Sequence, residues 1–449
     1  MENVAESDDQ PQKLPPKVYA VGALTQFAVG LYRPFLQAYM IDMGASYAEL
    51  GAFQSVGNAA PSVLQPAWGA TSDKVGHTKG FVAFGTIAGL VMIFLFLWAA
   101  TPTDMLILFA IQSVLFSIQI PTWQSLLGGL MDEENRGIEL GRLGVATNVA
   151  SLTATLVSGF IAGFPAIIPA LRELFGPIGL VLFPTVEAWR EAYYLPFYFT
   201  AVFGIIASLL SLTIREGKRD PDKKREFPPI LKLLSQPGDF RRFCLISVFF
   251  SFSMSMAWPY FMVVQKDWLN STNFEIAIAS VVMTATTVIF TIPLGSLSDR
   301  IGRRPLILIG RGPLFIVPIL YAFATNVYFI YMANALAGFC VAAGFNAITA
   351  YIYDIAPEEE RGAHLAVFNT FTGIIYFLGS FFSGVLGDSI ATVIGGHFAV
   401  FAMLMLSGIA RFFSSSLYLG IREPREYSSN MRDVLYSFIH RRKLPSGID

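Results

Sequence analysis

The chain has 449 residues, of which 54% are apolar and only 14% charged, against about 25% charged in a soluble domain. The net charge of −1 leaves no bulk attraction to nucleic acid. The few charges are gathered between uncharged blocks such as 105–131, 143–171 and 243–265, which excludes an ordinary cytosolic, disordered or fibrous protein.

The opening MENVAESDDQPQKLPP is acidic and polar, without an apolar signal core, so the first span is the expected insertion signal. A bilayer-spanning helix needs about 20 apolar residues. Twelve such segments are predicted, at 18–41, 49–72, 80–101, 104–131, 138–163, 193–214, 243–265, 274–297, 305–324, 327–353, 362–387 and 394–421. They are continuous, where β-barrel strands would be short and alternating. Backbone groups in lipid must pair within the segment, so each is expected to be a helix. The expected class is an all-α polytopic membrane protein with both termini cytoplasmic. That orientation puts 25 of the 31 Lys and Arg inside and three outside, Arg172, Arg190 and Lys266, as the positive-inside rule requires. The long outer stretch 164–192 contains four Pro, and a short interfacial helix is predicted at 169–175. Cys244 and Cys340 lie within spans, so no disulfide framework is expected.

The chain reads as a doubled unit. Gly69-Ala-Thr-Ser-Asp73-Lys74-Val-Gly76 ends span two, and Gly295-Ser-Leu-Ser-Asp299-Arg300-Ile-Gly302 ends span eight, 226 positions later. Glu133-Glu134-Asn-Arg136-Gly137 and Glu358-Glu359-Glu360-Arg361-Gly362 follow spans four and ten at an offset of 225. Ser158-Gly159 and Ser383-Gly384, and Pro34 and Pro259, keep that offset. The expected organisation is a tail 1–17, a six-helix half 18–214, a cytoplasmic loop 215–242, a second six-helix half 243–421 and a tail 422–449. Gly69 and Gly295 would let helices pack closely, and Gly76 and Gly302 would permit a tight turn. Asp73 and Asp299 can accept N–H groups at a neighbouring helix start. Lys74, Arg300, Arg303 and Arg304 can pair with Asp132, Glu133, Asp354 or Glu358.

Two six-span halves in parallel orientation, each with Gly-x-x-x-Asp-(Arg/Lys)-x-Gly after its second span, resemble the major facilitator superfamily of transporters. The resemblance covers about 20–421, and GSLSDRIGRR at 295–304 carries it most closely. The first copy departs from the pattern, with His77 and Thr78 where basic residues are usual. The resemblance implies alternating access through a central cavity lined by spans one, four, seven and ten. It also implies that the loop residues, with Arg136 and Arg361, close the cytoplasmic side in one state and part in the other.

Charge inside a span is costly and points to function. Arg33 lies near the middle of span one, and Gln26, Arg33 and Gln37 share one stripe at spacings of 7 and 4. Gln112, Gln119 and Trp123 repeat those spacings in span four, as do Ser251, Trp258 and Met262 in span seven. Asn346 lies in span ten. These side chains either line a solute cavity, with Arg33 pairing an anionic or polar group, or serve as interhelical glue, with Arg33 snorkelling outward. Arg311 is near the inner end of span nine and is expected to snorkel, while Arg411 in mid-span twelve has no evident acidic partner.

No Asp or Glu lies deep in any span, so the buried carboxylate that proton coupling usually needs is missing. The expected function is carriage of a small organic solute in the plasma membrane by a monomer without metal or cofactor. The expected partners are a small-molecule solute and the lipid bilayer. Alternatives are an ion-coupled efflux carrier for multiple drugs or lipophilic solutes, and a non-transporting receptor or lipid scramblase. An enzyme is not expected, because His77, His364, His397 and His440 sit in loops, at span ends or in the tail.

Overall fold

A computed structural model describes residues 14–75, 78–131, 136–163, 167–183, 187–215, 230–235 and 238–424. Among them every regular element is helical, with no strand. Helix α1 (Pro16–Tyr32) runs through a 3-10 turn, Arg33–Phe35, into α2 (Leu36–Asp42), and α3 (Tyr47–Val75) returns. Then come α4 (Thr78–Leu95), α5 (Pro102–Phe116), α6 (Gln119–Gly128) and α7 (Arg136–Ala162). Two short helices, α8 (Ile167–Leu174) and α9 (Gly176–Leu182), precede α10 (Ala188–Leu212). The later part holds α11 (Ile230–Ser235), α12 (Asp239–Ser255), α13 (Trp258–Val263), α14 (Asn273–Ile301), α15 (Arg303–Arg311), α16 (Ile316–Ala322), α17 (Val327–Ile355), α18 (Arg361–Ile394) and α19 (Gly396–Ser416).

Ten helical segments among the described residues are long and apolar enough to cross a bilayer. The expected spans 18–41 and 49–72 are helical too. The first is interrupted by its 3-10 turn, and the second carries Gln54, Asn58 and Gln65. The outer stretch contains two helices where one was expected. Gly176, at φ +52°, turns the chain from α8 into α9.

Helix starts on one face follow local chemistry. Ser46 and Glu49 bond each other's backbone N–H groups before α3, and Thr272 and Glu275 do the same before α14. Both are capping boxes. The breaks follow proline, which has no N–H for the carbonyl four residues earlier. Pro34 strands Gly30 O, which accepts the Thr155 hydroxyl at 3.1 Å. Pro259 strands Ser255 O, which accepts the Ser380 hydroxyl at 3.0 Å. Ser158 to Leu31 O and Ser383 to Met256 O are likewise equivalent, both at 2.5 Å. Donors and acceptors in these pairs are 225 positions apart, so the repeat extends to individual hydrogen bonds.

The match also locates an insertion. Thr200 donates to Ala28 O and Ser407 to Ser253 O, yet the two donors are only 207 positions apart. The 18 residues missing from the second copy correspond to the α8–α9 excursion.

Two seams join the earlier helices to the later ones. In the first, a methyl added at Gly51 of α3 would lie 2.6 Å from Ser380 O and 2.9 Å from Gly384 Cα of α18. In the second, Gly159 of α7 packs directly on Ala277 of α14. Small residues let backbones approach this closely. Both seams lie toward the face where α3 and α14 begin, here called the distal face. On that face Lys266 pairs with Asp42 at 2.9 Å, and Tyr193 donates to Asp42 at 2.6 Å. The α3–α18 seam runs on to Ser62, whose carbonyl accepts the Thr370 hydroxyl at 3.3 Å, and the glycines beyond it toward the opposite, proximal face are open among the described residues. Nothing lies closer than 3.9 Å to a methyl placed at Gly69 or Gly295. These two glycines were expected at close helix contacts, which they do not make in this conformation. The seams tighten at Gly51, Gly159 and Gly384 instead.

Candidate functional site

A pocket of about 270 Å³ lies between the two sets of helices, lined by Gln37, Gln54, Asn58, Trp258, Phe261, Met262 and Gln265. α2 and α3 contribute one wall, and α13 with its π-helical extension contributes the other. Gln37 is buried and ties the walls together. Its Nε2 donates to Pro259 O at 2.7 Å and Trp258 O at 3.3 Å. These two carbonyls belong to the first turn of α13, just after the break that Pro259 makes. The Oε1 of Gln37 then accepts Gln54 Nε2 at 2.7 Å.

Asn58, one turn further along α3, donates to Gln54 O at 2.7 Å. Gln265 lies in the π-helical turn Val264–Trp268 and is 5% exposed. Its Nε2 points toward Phe261 O at 3.4 Å, and its Oε1 is buried without a hydrogen bond. Single π turns often accompany functional sites. Trp258 leans on Tyr376 with ring centroids 4.9 Å apart.

The expected cavity residues divide. Gln37 and Trp258 line this pocket. Arg33, about one turn away on the same stripe, is exposed and makes no hydrogen bond or ion pair among the described residues. Gln26 is also exposed. Gln112 is buried and spends its amide on Gly89 O at 3.1 Å and Tyr32 Oη at 3.4 Å. Gln119 is buried at the start of α6, its backbone close against Gly85. Trp123 packs near Gly22 with the apolar cluster of Val18, Val21, Val82 and Leu143. Asn346 is exposed beside Gly295. The continuous stripe expected in span four is interrupted because α5 ends at Phe116 and α6 begins at Gln119.

Gln54, Asn58, Phe261 and Gln265 were not among the expected site residues. Gln54 and Asn58 are four apart, and Gln265 is seven from Trp258, so the same periodicity argument reaches them.

Arg311 behaves differently from expectation, and Arg411 has partners that are not acids. Arg311 does not snorkel. Its guanidinium lies 4.7 Å from the Phe250 ring and its Nη1 contacts Met254 Sδ. Arg411 is 1% exposed and donates to Met254 O at 2.7 Å and Leu314 O at 3.1 Å. Pro318, four residues beyond Leu314, leaves that carbonyl without a helical donor. The partners of Arg411 are therefore carbonyls released at helix breaks. Its guanidinium also lies 5.9 Å from the Phe261 ring in the pocket wall.

At the proximal face, Arg303 pairs with Asp299 at 2.5 Å and with Asp354 at 3.2 Å. The N–H groups of Arg303 and Arg304 are accepted by Glu423 at 3.1 and 2.8 Å. Asp299 was expected in that role, but Glu423 fills it. Asp299 is turned to Arg303, one helical turn on. Arg304 also donates to Leu419 O, and Arg361 to Tyr353 O and Glu358. Gly302 takes φ +105°, as the tight turn requires. Arg300 is exposed. All these partners belong to the later half of the chain. Gly76 and the side chains of Asp73, Lys74 and Arg136 lie outside the described residues.

A family model described as Major Facilitator Superfamily matches residues 18–268 and 243–444. The chain is 22% identical over 401 residues to an uncharacterised MFS-type transporter of Methanocaldococcus jannaschii, covering 86% of this chain and 92% of the relative. It is 21% identical over 406 residues to the multi-drug resistance efflux pump PmrA of Streptococcus pneumoniae, covering 87% and 91%. Among solved structures, a mutant of the nucleoside transporter NupG superposes with a TM-score of 0.73 at 13% identity, covering 91% of this chain and 99% of that one. A bacterial homolog of the human lysosomal transporter Spinster, inward-facing and occupied, gives 0.71 at 16% identity, covering 92% and 97%. At such identities the likeness shows the fold.

Proposed function

This chain belongs to the major facilitator superfamily, and on that premise we propose that it carries a small organic solute by alternating access. It is a multi-pass membrane transporter and not an enzyme. The proposed topology has twelve spans in two six-helix halves, 18–214 and 243–421, joined by the loop 215–242. Both termini are cytoplasmic in a plasma-membrane setting, supported by the lysine and arginine distribution. The distal face is then external, and the conformation is inward-facing, with the halves clasped outside and free inside.

The observation that carries the reading is the position of the pocket. It lies directly beneath the clasped face, and both halves supply its walls. A solute held there would be released toward one side now and toward the other after the seams part. Arg33 adds an exposed guanidinium about a turn away, where an anionic group of a solute would be met. The test is flux in proteoliposomes with Arg33→Ala and Gln37→Leu. An identified substrate whose flux neither variant changes would count against this route.

A second reading is efflux of lipophilic solutes. Trp258, Phe261 and Met262 favour it by supplying an apolar, polarisable surface in the same pocket. Competition between a lipophilic cation and an organic anion for flux separates the two readings.

A further inference from the structure

We infer that the α8–α9 hairpin lies in the bilayer leaflet at the distal face, with the acyl chains of that leaflet as the partner of its exposed apolar surface. The inference goes beyond the transport reading and requires only that the long helices cross a bilayer.

The composition of the hairpin is the first ground. Residues 174–183 carry no polar side chain. In α9 only Gly179 is buried, held against the backbone of Arg172. Ile178, Leu180, Val181 and Leu182 are all exposed, Val181 at 75%. A helix apolar on every side is not a water-facing element. α8 is three-sided instead. Ile168 and Leu171 pack on the core, while Ile167 and Leu174, seven residues apart, share an exposed apolar side. Glu173, about 100° round from Leu174, is exposed on a third side. Core, lipid and water around one helix are the surroundings of a helix lying at a membrane surface.

Depth follows from what α9 touches. The Tyr198 hydroxyl donates to Leu182 O. Tyr198 is ten residues beyond Ala188, the first residue of α10, hence about 15 Å along its axis. Helical side chains lean toward the helix start, yet Leu182 still lies beside α10 and not above it. The Tyr198 ring also meets Phe94, with centroids 5.1 Å apart, and Phe94 packs on Trp98, one turn nearer the distal end of that span. Trp98 is 51% exposed, as a residue of an interfacial belt is. Leu182 thus lies about 5 Å, one helical turn, beneath that belt. Phe160 near the end of α7, and Phe199 and Val202 of α10, are exposed as well. The apolar surface of the hairpin therefore continues that of the spans flanking it in the chain.

The backbone is equipped for lipid. Carbonyls at a helix end need donors, and lipid has none. Leu182 O is taken by Tyr198, and Phe183 O by Arg172 Nε at 2.7 Å. Pro177, in the first turn of α9, has no N–H to satisfy. Arg172 is half-buried and pairs with Glu191 at 2.7 Å, which holds its charge on the protein side. The same turn of α10 sends Tyr193 to Asp42, so the hairpin is a foot under the distal end of α10. No described residue of α8 or α9 lines the pocket, which argues against a lid.

Collision accessibility of nitroxide labels on the full chain in liposomes tests this. The labels are carried by Leu174→Cys, Ile178→Cys and Val181→Cys, with Phe199→Cys as the lipid reference. Thr325→Cys, in the exposed turn before α17, is the water reference. Cys244 and Cys340 are buried, and the protein without an added cysteine is the blank. Molecular oxygen, which concentrates in lipid, and a nickel chelate, which stays in water, are the two relaxants. Positions 174, 178 and 181 are expected to favour oxygen as Phe199→Cys does, at about 5–10 Å into the headgroup and acyl boundary. Glu173→Cys should favour nickel. Nickel collision at 178 and 181 equal to that at Thr325→Cys would overturn the inference and make the hairpin a water-facing loop. Shielding from both relaxants would also overturn it, and dipolar broadening between copies would then identify a second copy as the occupant. Flux in proteoliposomes, which decides the transport reading, is independent of all these outcomes.

Discussion

Asp388 of α18 reaches across to the first turn of α3 and accepts the N–H of Tyr47 at 2.9 Å and that of Ala48 at 2.9 Å. A carboxylate at a helix N-terminus satisfies donors that have no helical partner and meets the positive end of the dipole. This one cap links the two halves, whereas the equivalent start of α14 relies on its own Thr272 and Glu275. In the repeat, the counterpart of Asp388 is Gly163, which cannot cap. The clasp is therefore chemically one-sided. Asp388→Ala removes an N-cap interaction of about 0.5–2 kcal/mol. It should shift the population toward opening at the distal face. A cysteine placed at the buried Ser55, whose hydroxyl bonds Phe377 O across the same seam, should label faster in the Asp388→Ala background. An unchanged labelling rate would mean that this cap does not hold the face closed.

The glycines of the seam give a steric test. Gly51→Val and Gly384→Val place side-chain atoms where backbone now lies, so the distal face could not close. Flux should drop more than tenfold while the protein still purifies as a folded species. Gly295→Ala meets nothing closer than 3.9 Å and should keep near-normal flux unless that region packs tightly in the other state. Measuring all three in one vesicle preparation separates seam closure from general damage.

Arg411 should matter for stability. Arg411→Leu would strand Met254 O and Leu314 O in the interior, at about 1–3 kcal/mol each. A clear fall in thermal midpoint is expected, and Arg411→Lys should recover only part of it, because an ammonium cannot reproduce the two-pronged guanidinium reach. Arg33→Leu should do the opposite, leaving the midpoint unchanged or raised, since the side chain is exposed and partnerless among the described residues. Its loss should appear in the flux of anionic solutes.

Glu423 caps α15 from beyond the last helix. Glu423→Ala should loosen the turn at Gly302 and leave the N–H groups of Arg303 and Arg304 without their acceptor. Faster amide hydrogen exchange at 303–306, with exchange in α3 unaltered, is the expected readout.

The legible part of the protein was the part carried by local pattern. Uncharged length marked the helices, and the loop signatures revealed the doubling and the family. Gln37 and Trp258 came from a stripe of the right period. The same reasoning also offered Gln112 and Trp123, which the fold uses elsewhere. It assumed an unbroken helix where the chain bends between Phe116 and Gln119. Gln54, Asn58 and Gln265 were within reach of the argument, but periodicity alone does not say which polar stripe faces a cavity.

The sequence by itself determined that this is a helical membrane protein built from a repeated unit, because hydropathy and repetition are written along the chain and need no partner to be read, and its loop signature carried the resemblance to transporters. Only the tertiary structure decided which polar groups are spent and which are open. Arg411 became a staple because Pro318 and the α12–α13 break released carbonyls beside it. Gln265 kept a side-chain oxygen without a hydrogen bond because no donor among the described residues reaches it where α13 passes into its π-helical turn. A hydrogen bond depends on the distance and direction between residues far apart in the chain, and those are set when the helices pack.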